Sequence, residues 1–171
     1  LVYVTPSCQY PTGVAMSLER RLALLRHAAS TGAWIVEDDY QSEFTYAGRP
    51  LVSIHSLDRS ERTLYVGTFT NSVFPSLRLA YVVLPRSLVA VFEAVRRQLD
   101  DHTHGAMQAV LADFMDGGHF SAHLRKMRAL YHARRDALLA ACARSLPNSV
   151  VLGPATSGMN VALHLPPRMA D

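Results

Sequence analysis

Lysine is almost missing from this 171-residue chain: Lys126 stands alone among 17 basic side chains, the rest being arginine. Any chemistry that needs a lysine amine therefore has one candidate to offer it. Cysteine is scarce too, with only Cys8 and Cys142, far apart in sequence. That excludes a disulfide-stapled scaffold and points to a reducing, cytoplasmic compartment. No apolar run reaches the roughly 18 residues that a membrane-spanning helix needs. Charged residues make up only 18% of the chain while 49% is hydrophobic, which excludes a disordered polyelectrolyte and leaves room for a buried core. The net charge of +3 favours small anionic ligands but falls short of a polybasic tract. The chain opens on Leu1 rather than Met, with a strand-like run at once, and it is expected to be a fragment of a longer protein.

Residues 1–4 are β-rich and are closed by Thr5-Pro6-Ser7 and the turn-forming Tyr10-Pro11-Thr12-Gly13. Ser17 is a candidate N-cap with Glu19 in the first turn, and Leu18, Leu22, Leu25 and Ala29 recur at helical spacing until Gly32 ends the helix. Residues 33–36 read as a fully buried strand that runs into Glu37-Asp38-Asp39-Tyr40. Strand, helix and strand in that order predict a right-handed βαβ unit on a parallel sheet. Two further strands are predicted at 63–66 and 79–84. The connection between them is about a dozen residues with no clear helix, so the last strand is free to return antiparallel.

Ser87 is predicted to cap a helix that turns Leu88, Phe92, Val95 and Leu99 inward, and Met107, Val110, Leu111 and Phe114 mark a second, ended by Gly117-Gly118. Over 121–143 a long helix carries Leu124, Met127, Tyr131 and Leu138 on one side, with Arg125, Lys126, Arg128, Arg134 and Arg135 elsewhere around it. Short strands at 150–152 and 159–165 begin a second unit. The expected architecture is α/β: an incomplete three-layer α/β/α domain with a mostly parallel sheet over 1–120, a connecting helix over 121–143, and the start of a small α+β domain over 144–171.

In a parallel sheet, ligands gather beyond the carboxyl ends of the strands. Those positions hold Tyr10 after the first strand, Asp38 and Tyr40 after the second, and Thr68, Thr70, Asn71 and Arg78 after the third. The set suits an aromatic, phosphorylated cofactor. Hydroxyls, backbone amides and the always-ionised fork of Arg78 can hold a phosphate, and a buried Asp can keep a pyridine nitrogen protonated, which makes the ring an electron sink.

Three ordered stretches carry a family resemblance: Thr5-Pro6-Ser7-Cys8-Gln9-Tyr10-Pro11-Thr12-Gly13, then Glu37-Asp38-Asp39-Tyr40-Gln41-Ser42-Glu43-Phe44, then residues 67–79 from Gly67-Thr68-Phe69-Thr70-Asn71 to Leu77-Arg78-Leu79. In order and spacing they resemble the aminotransferase-like domain of MocR-type regulators of the GntR class. There, a winged helix-turn-helix DNA-binding domain precedes a fold-type-I pyridoxal-phosphate domain related to class I/II aminotransferases. The resemblance covers nearly the whole chain. It implies pyridoxal 5'-phosphate as the cofactor, with Asp38 facing the pyridine nitrogen, Tyr40 and Tyr10 near the phenolic oxygen, and Thr68, Thr70 and Arg78 on the phosphate. It also implies a homodimer, a small amino compound or vitamer as effector, and DNA contact only through a domain preceding Leu1.

Asn71 falls where the resemblance places the Schiff-base lysine, since the family pattern has Ser-Lys and this chain has Thr70-Asn71. An amide offers neither a nucleophilic amine nor a basic nitrogen to move an α-proton, so transamination is expected to fail. Lys126, on the Arg-rich helix rather than after a strand, offers no replacement. Cys8 in place of a usual His, Gln41 in place of a common Asp and Ala80 in place of Gly are further departures.

Each of these residues also has a plainer reading. Asp38 and Asp39 suit an ordinary turn, Arg78 a surface ion pair, and Tyr10 and Tyr40 a core with satisfied hydroxyls. His102, His104, His119 and His123 mix loop and helix without a supporting carboxylate or thiol, so no metal site is expected. The arginines of the long helix alternate with an apolar face, which describes a packed helix better than a nucleic-acid stripe. Two other functions compete with the regulator: a fragment of an aminotransferase altered at its lysine, and a degenerate scaffold that kept the fold and dimer surface but lost the ligand.

Overall fold

The computed structural model describes residues 1–46, 48, 52–100 and 104–167. Four strands form one sheet in sequence order: β1 (Val2–Val4), β2 (Ile35–Asp39), β3 (Thr63–Thr68) and β4 (Ala80–Val83). The first three run parallel and β4 pairs antiparallel with β3. Between β3 and β4 the chain makes only a 3-10 turn at Pro75–Leu77, too short to cross the sheet, so antiparallel return is the pairing left to it.

Helix α1 (Leu18–Thr31) joins β1 to β2. The Ser17 side chain accepts from the Arg20 amide, and Gly32 closes the helix in the left-handed conformation at φ 71°, as the sequence implied. Its inward stripe differs from the one read from sequence. Arg21, Leu25 and Ala28 are buried, while Leu18 and Leu22 are 47% and 37% exposed and Ala29 is exposed as well. The stripe turns because a charged side chain takes part in it: Arg21 finds carbonyl partners inside, which apolar spacing cannot register. Leu25 and Ala28 pack with Ile35 of β2 and with Ile54 of the short helix α2 (Ile54–Leu57).

β2 was expected to be buried throughout, but it alternates: Ile35, Glu37 and Asp39 are buried, Val36 and Asp38 only half so. One sheet face lies under α1 and α2. On the other, Val36, Leu64 and Val66 border an apolar hollow of about 770 Å³ that also touches Phe92, Leu111 and Met115.

Three helices follow, α3 (Arg86–Leu99), α4 (Gly105–Asp116) and α5 (His119–Ser145). Pro85, not Ser87, is the residue from which α3 starts, consistent with the ready-made φ of proline. Leu88 is half-buried, but Phe92, Val95 and Leu99 are 40%, 50% and 82% exposed. The expectation of an inward face is corrected for these three: helical spacing says which side is apolar, not what covers it. In α4, Leu111 is buried with Leu77 and Leu79, and Met107 packs against that cluster, whereas Val110 stays 59% exposed. α5 extends past the predicted ends on both sides, with Leu124 its buried residue. β5 (Val151–Leu152) and β6 (Leu163–His164) form a two-residue antiparallel pair, shorter than the strands read from sequence.

Candidate functional site

The parallel register sets the carboxyl ends of β1, β2 and β3 side by side. Tyr3 pairs with Val36 and Asp38 with Val66, so by strand alternation Tyr3, Val36, Asp38 and Val66 share one face. From β1 the Tyr3 hydroxyl reaches diagonally to β2 and donates to Asp38 Oδ2. That bond, with burial and the Asp38 charge, pushes the Tyr3 phenol up to about 12. Asp38, Tyr40, Tyr10, Tyr3, Thr5 and Gln9 line a hollow of about 350 Å³. Tyr40 donates to the Cys8 carbonyl at 2.8 Å, and burial, followed by its contact with Cys8, pushes its phenol up to about 12. Tyr10 is 66% exposed at the rim.

Asn71 Nδ2 donates to the Tyr40 carbonyl at 3.0 Å. At the end of β3, Thr68 Oγ1 accepts from the Thr70 amide at 3.1 Å and donates to the Leu79 carbonyl at 3.3 Å. The structure thus gathers Asp38, Tyr40 and Tyr10 on one hollow and attaches Asn71 to its edge. Arg78 is not among the residues lining that hollow. It is exposed, sits in the left-handed conformation at φ 50° just after the 3-10 turn, and has no hydrogen bond or ion pair among the described residues. Lys126 is exposed on α5.

The buried acid of the pair is Asp39, not Asp38. Asp39 is 6% exposed and accepts from the Tyr65 hydroxyl at 2.7 Å and the Ser42 amide at 3.2 Å, on the opposite sheet face from Asp38. Alternation along the strand puts consecutive aspartates on opposite sides. His102 lies outside the described residues. His119 and His123 lie against the Phe114 ring, and among the described residues no three His, Cys, Asp or Glu side chains cluster to hold a metal.

Two supports under the rim were not visible in the sequence. Arg21, fully buried, donates to the carbonyls of Pro6 at 2.7 Å, Met16 at 3.0 Å and Val52 at 3.2 Å, which brackets the loop that carries Tyr10. It lies 3.8 Å from Glu37, whose carboxylate accepts the Ile54 and His55 amides at 2.9 and 2.8 Å. Burial pushes the Arg21 guanidinium down and the Glu37 carboxyl up, each opposed by the other's charge.

The second support is a clasp formed by residues 156–159. Thr45 bridges Ser157, the Gly158 amide donates to the Phe44 carbonyl at 2.8 Å, and the Met159 amide to Gln41 Oε1 at 3.0 Å. Ser157 Oγ donates to the Ser7 carbonyl at 3.3 Å, and the Cys8 thiol to the Ser157 carbonyl at 3.8 Å.

The sequence profile of the family described as aminotransferase class I and II matches residues 2–170. The chain belongs to that family. It is 40% identical over 171 residues to the probable rhizopine catabolism regulatory protein MocR of Rhizobium meliloti, covering 100% of this chain and 35% of that protein. To the HTH-type transcriptional regulator TauR of Rhodobacter capsulatus it is 40% identical over 138 residues, 81% of this chain and 28% of the regulator. The kynurenine aminotransferase of Pyrococcus horikoshii, solved with PMP, superimposes with a TM-score of 0.91 at 33% identity, over 96% of this chain and 41% of that one. The chain therefore spans about a third of the length of the regulators it matches. Its mixed sheet and covering helices are the α/β fold of the class I and II aminotransferases, whose family cofactor is pyridoxal phosphate. No helix among the described residues is long and apolar enough to cross a membrane.

Proposed function

We propose that the chain is part of the effector-sensing domain of a MocR-type transcriptional regulator, binding pyridoxal 5'-phosphate without a covalent link. The observation that carries the reading is the hollow beyond the parallel strand ends: Asp38 and the three phenols of Tyr3, Tyr10 and Tyr40 line it, and Asn71, an amide, is bonded to the backbone of Tyr40 beside it. Asp38 Oδ1 accepts no hydrogen bond among the described residues, so a protonated ring nitrogen has an acceptor there. Tyr40 and Tyr10 would lie by the phenolic oxygen, and Thr68, Thr70 and Arg78 would hold the phosphate. When bound, the cofactor supplies an electron-accepting ring. Asn71 can donate a hydrogen bond to it but cannot form the covalent bond that a lysine amine makes, nor take up an α-proton. Sensing without turnover is what remains.

In this reading residues 1–120 belong to the cofactor-binding domain, 121–143 to a connecting helix and 144–171 to the beginning of a small domain. The working unit is a cytoplasmic homodimer that meets DNA through a separate N-terminal domain and responds to a small amino compound or vitamer. The test is a titration with pyridoxal phosphate, followed by borohydride trapping, in the protein at its natural length. Expected are a saturable absorbance change, no covalent fixation in the wild type, and fixation on Asn71→Lys. Absence of saturable binding would overturn the ligand assignment, and covalent fixation in the wild type would overturn the role of Asn71.

A further inference from the structure

The partner of Asp38 is a residue that neither motif spacing nor strand-end logic picks out. Tyr3 lies on β1, one strand away, opposite Val36 and diagonal to Asp38, within the reach that long side chains have across neighbouring strands. Its hydroxyl donates to Oδ2 and leaves Oδ1 as the oxygen without a protein donor among the described residues. With its phenol pushed up to about 12, Tyr3 keeps its hydroxyl hydrogen at neutral pH and so remains able to donate to Oδ2. Tyr3 itself is 62% exposed, so the core does not depend on it.

We propose that Tyr3 is a positioning residue: it fixes the plane of the Asp38 carboxylate so that Oδ1 meets the ring nitrogen of pyridoxal phosphate, and it thereby selects ligands with a protonated ring nitrogen. The proposal rests on the functional reading above. Its energetic scale is that of one hydrogen bond to a charged group, about tenfold in affinity.

The experiment compares dissociation constants for pyridoxal phosphate and for its 1-deaza analogue, which has carbon in place of the ring nitrogen. The proteins are wild type, Tyr3→Phe, Asp38→Asn and the double variant, at natural length. Expected is a loss of about tenfold for pyridoxal phosphate in Tyr3→Phe, with the deaza analogue unchanged within about twofold. In the Asp38→Asn background, Tyr3→Phe is expected to change nothing further, because its effect passes through the carboxylate. Equal weakening of both ligands would make Tyr3 merely structural and overturn the proposal, as would an undiminished Tyr3→Phe effect without Asp38. Wild type that binds both ligands equally removes the ring-nitrogen contact while leaving cofactor binding intact. Wild type that binds neither overturns the functional reading and this one with it.

Discussion

The Arg21 guanidinium lies 3.8 Å from the Glu37 carboxylate, and neither side chain has any exposed surface. Removing one charge of such a pair strands the other without water, at a cost of about 3–5 kcal/mol. Arg21→Met and Glu37→Gln are each expected to destabilise on that scale in denaturant unfolding. Arg21→Met should also loosen the loop between the Pro6 and Met16 carbonyls and weaken pyridoxal phosphate binding. The double variant should cost less than the two singles added together, because each relieves the stranded charge of the other. A single-variant cost below about 1 kcal/mol would show that the pair carries no structural weight.

Gly158 sits at φ 76°, and a Cβ there would fall 2.6 Å from both Cys8 Sγ and Gln41 Oε1. Gly158→Ala is therefore expected to force the clasp apart, costing about 1–3 kcal/mol, and to uncover Cys8, now 3% exposed. Thiol labelling checks this directly. Cys8 should react faster in the variant than in the wild type, and an unchanged rate would show that the clasp does not shield it.

At the alkaline end, Tyr3 and Tyr40 are both pushed up to about 12. For a tyrosine whose folded value is raised, the stabilising contribution is complete below the ordinary value of 10 and disappears between 10 and 12. Tyrosinate absorbance should therefore show late-titrating groups, of which Tyr3→Phe removes one. Asp38→Asn should return Tyr3 toward its ordinary value. If the late groups survive Tyr3→Phe undiminished, the Tyr3 to Asp38 bond does not hold in solution.

At the acid end the relevant group is Asp58, which closes the turn before β3. Burial raises its pKa, but hydrogen bonds from the Ser60 hydroxyl and amide and the Arg62 amide outweigh that and lower it below 3.8. A depressed carboxylate stabilises above its unfolded value and loses that contribution as pH falls through the folded one. Asp58→Asn is expected to cost up to about 1 kcal/mol near neutrality, given partial solvent screening, and the gap to wild type should close as pH drops below 3.8. A gap independent of pH would assign the effect to turn shape instead of charge.

Much of the frame could be read from the sequence because it rests on short-range rules. Ser17 and Gly32 bound α1 by capping chemistry, and the lack of a helix between β3 and β4 forces the antiparallel return. What escaped reading depends on pairing across the sheet. Asp38 and Asp39 look equivalent in sequence, and only the β2 register decides that Asp39 goes inside. Tyr3 meets Asp38 through a diagonal contact that has no signature in either strand alone. Arg21 reads as solvated by type, yet three backbone carbonyls and a buried carboxylate make its interior place favourable. The exposed side of α3 shows the converse limit, since Phe92, Val95 and Leu99 have the spacing of a covered face without a cover among the described residues.

The clasp joins Ser157 to Ser7 across 150 residues of chain. During synthesis the strand ends, the phenols and Asp38 all emerge before the segment that fastens their rim. A nascent chain ending short of Ser157 therefore carries these residues without the segment that covers Cys8, and the rim can close only once translation has passed Ser157.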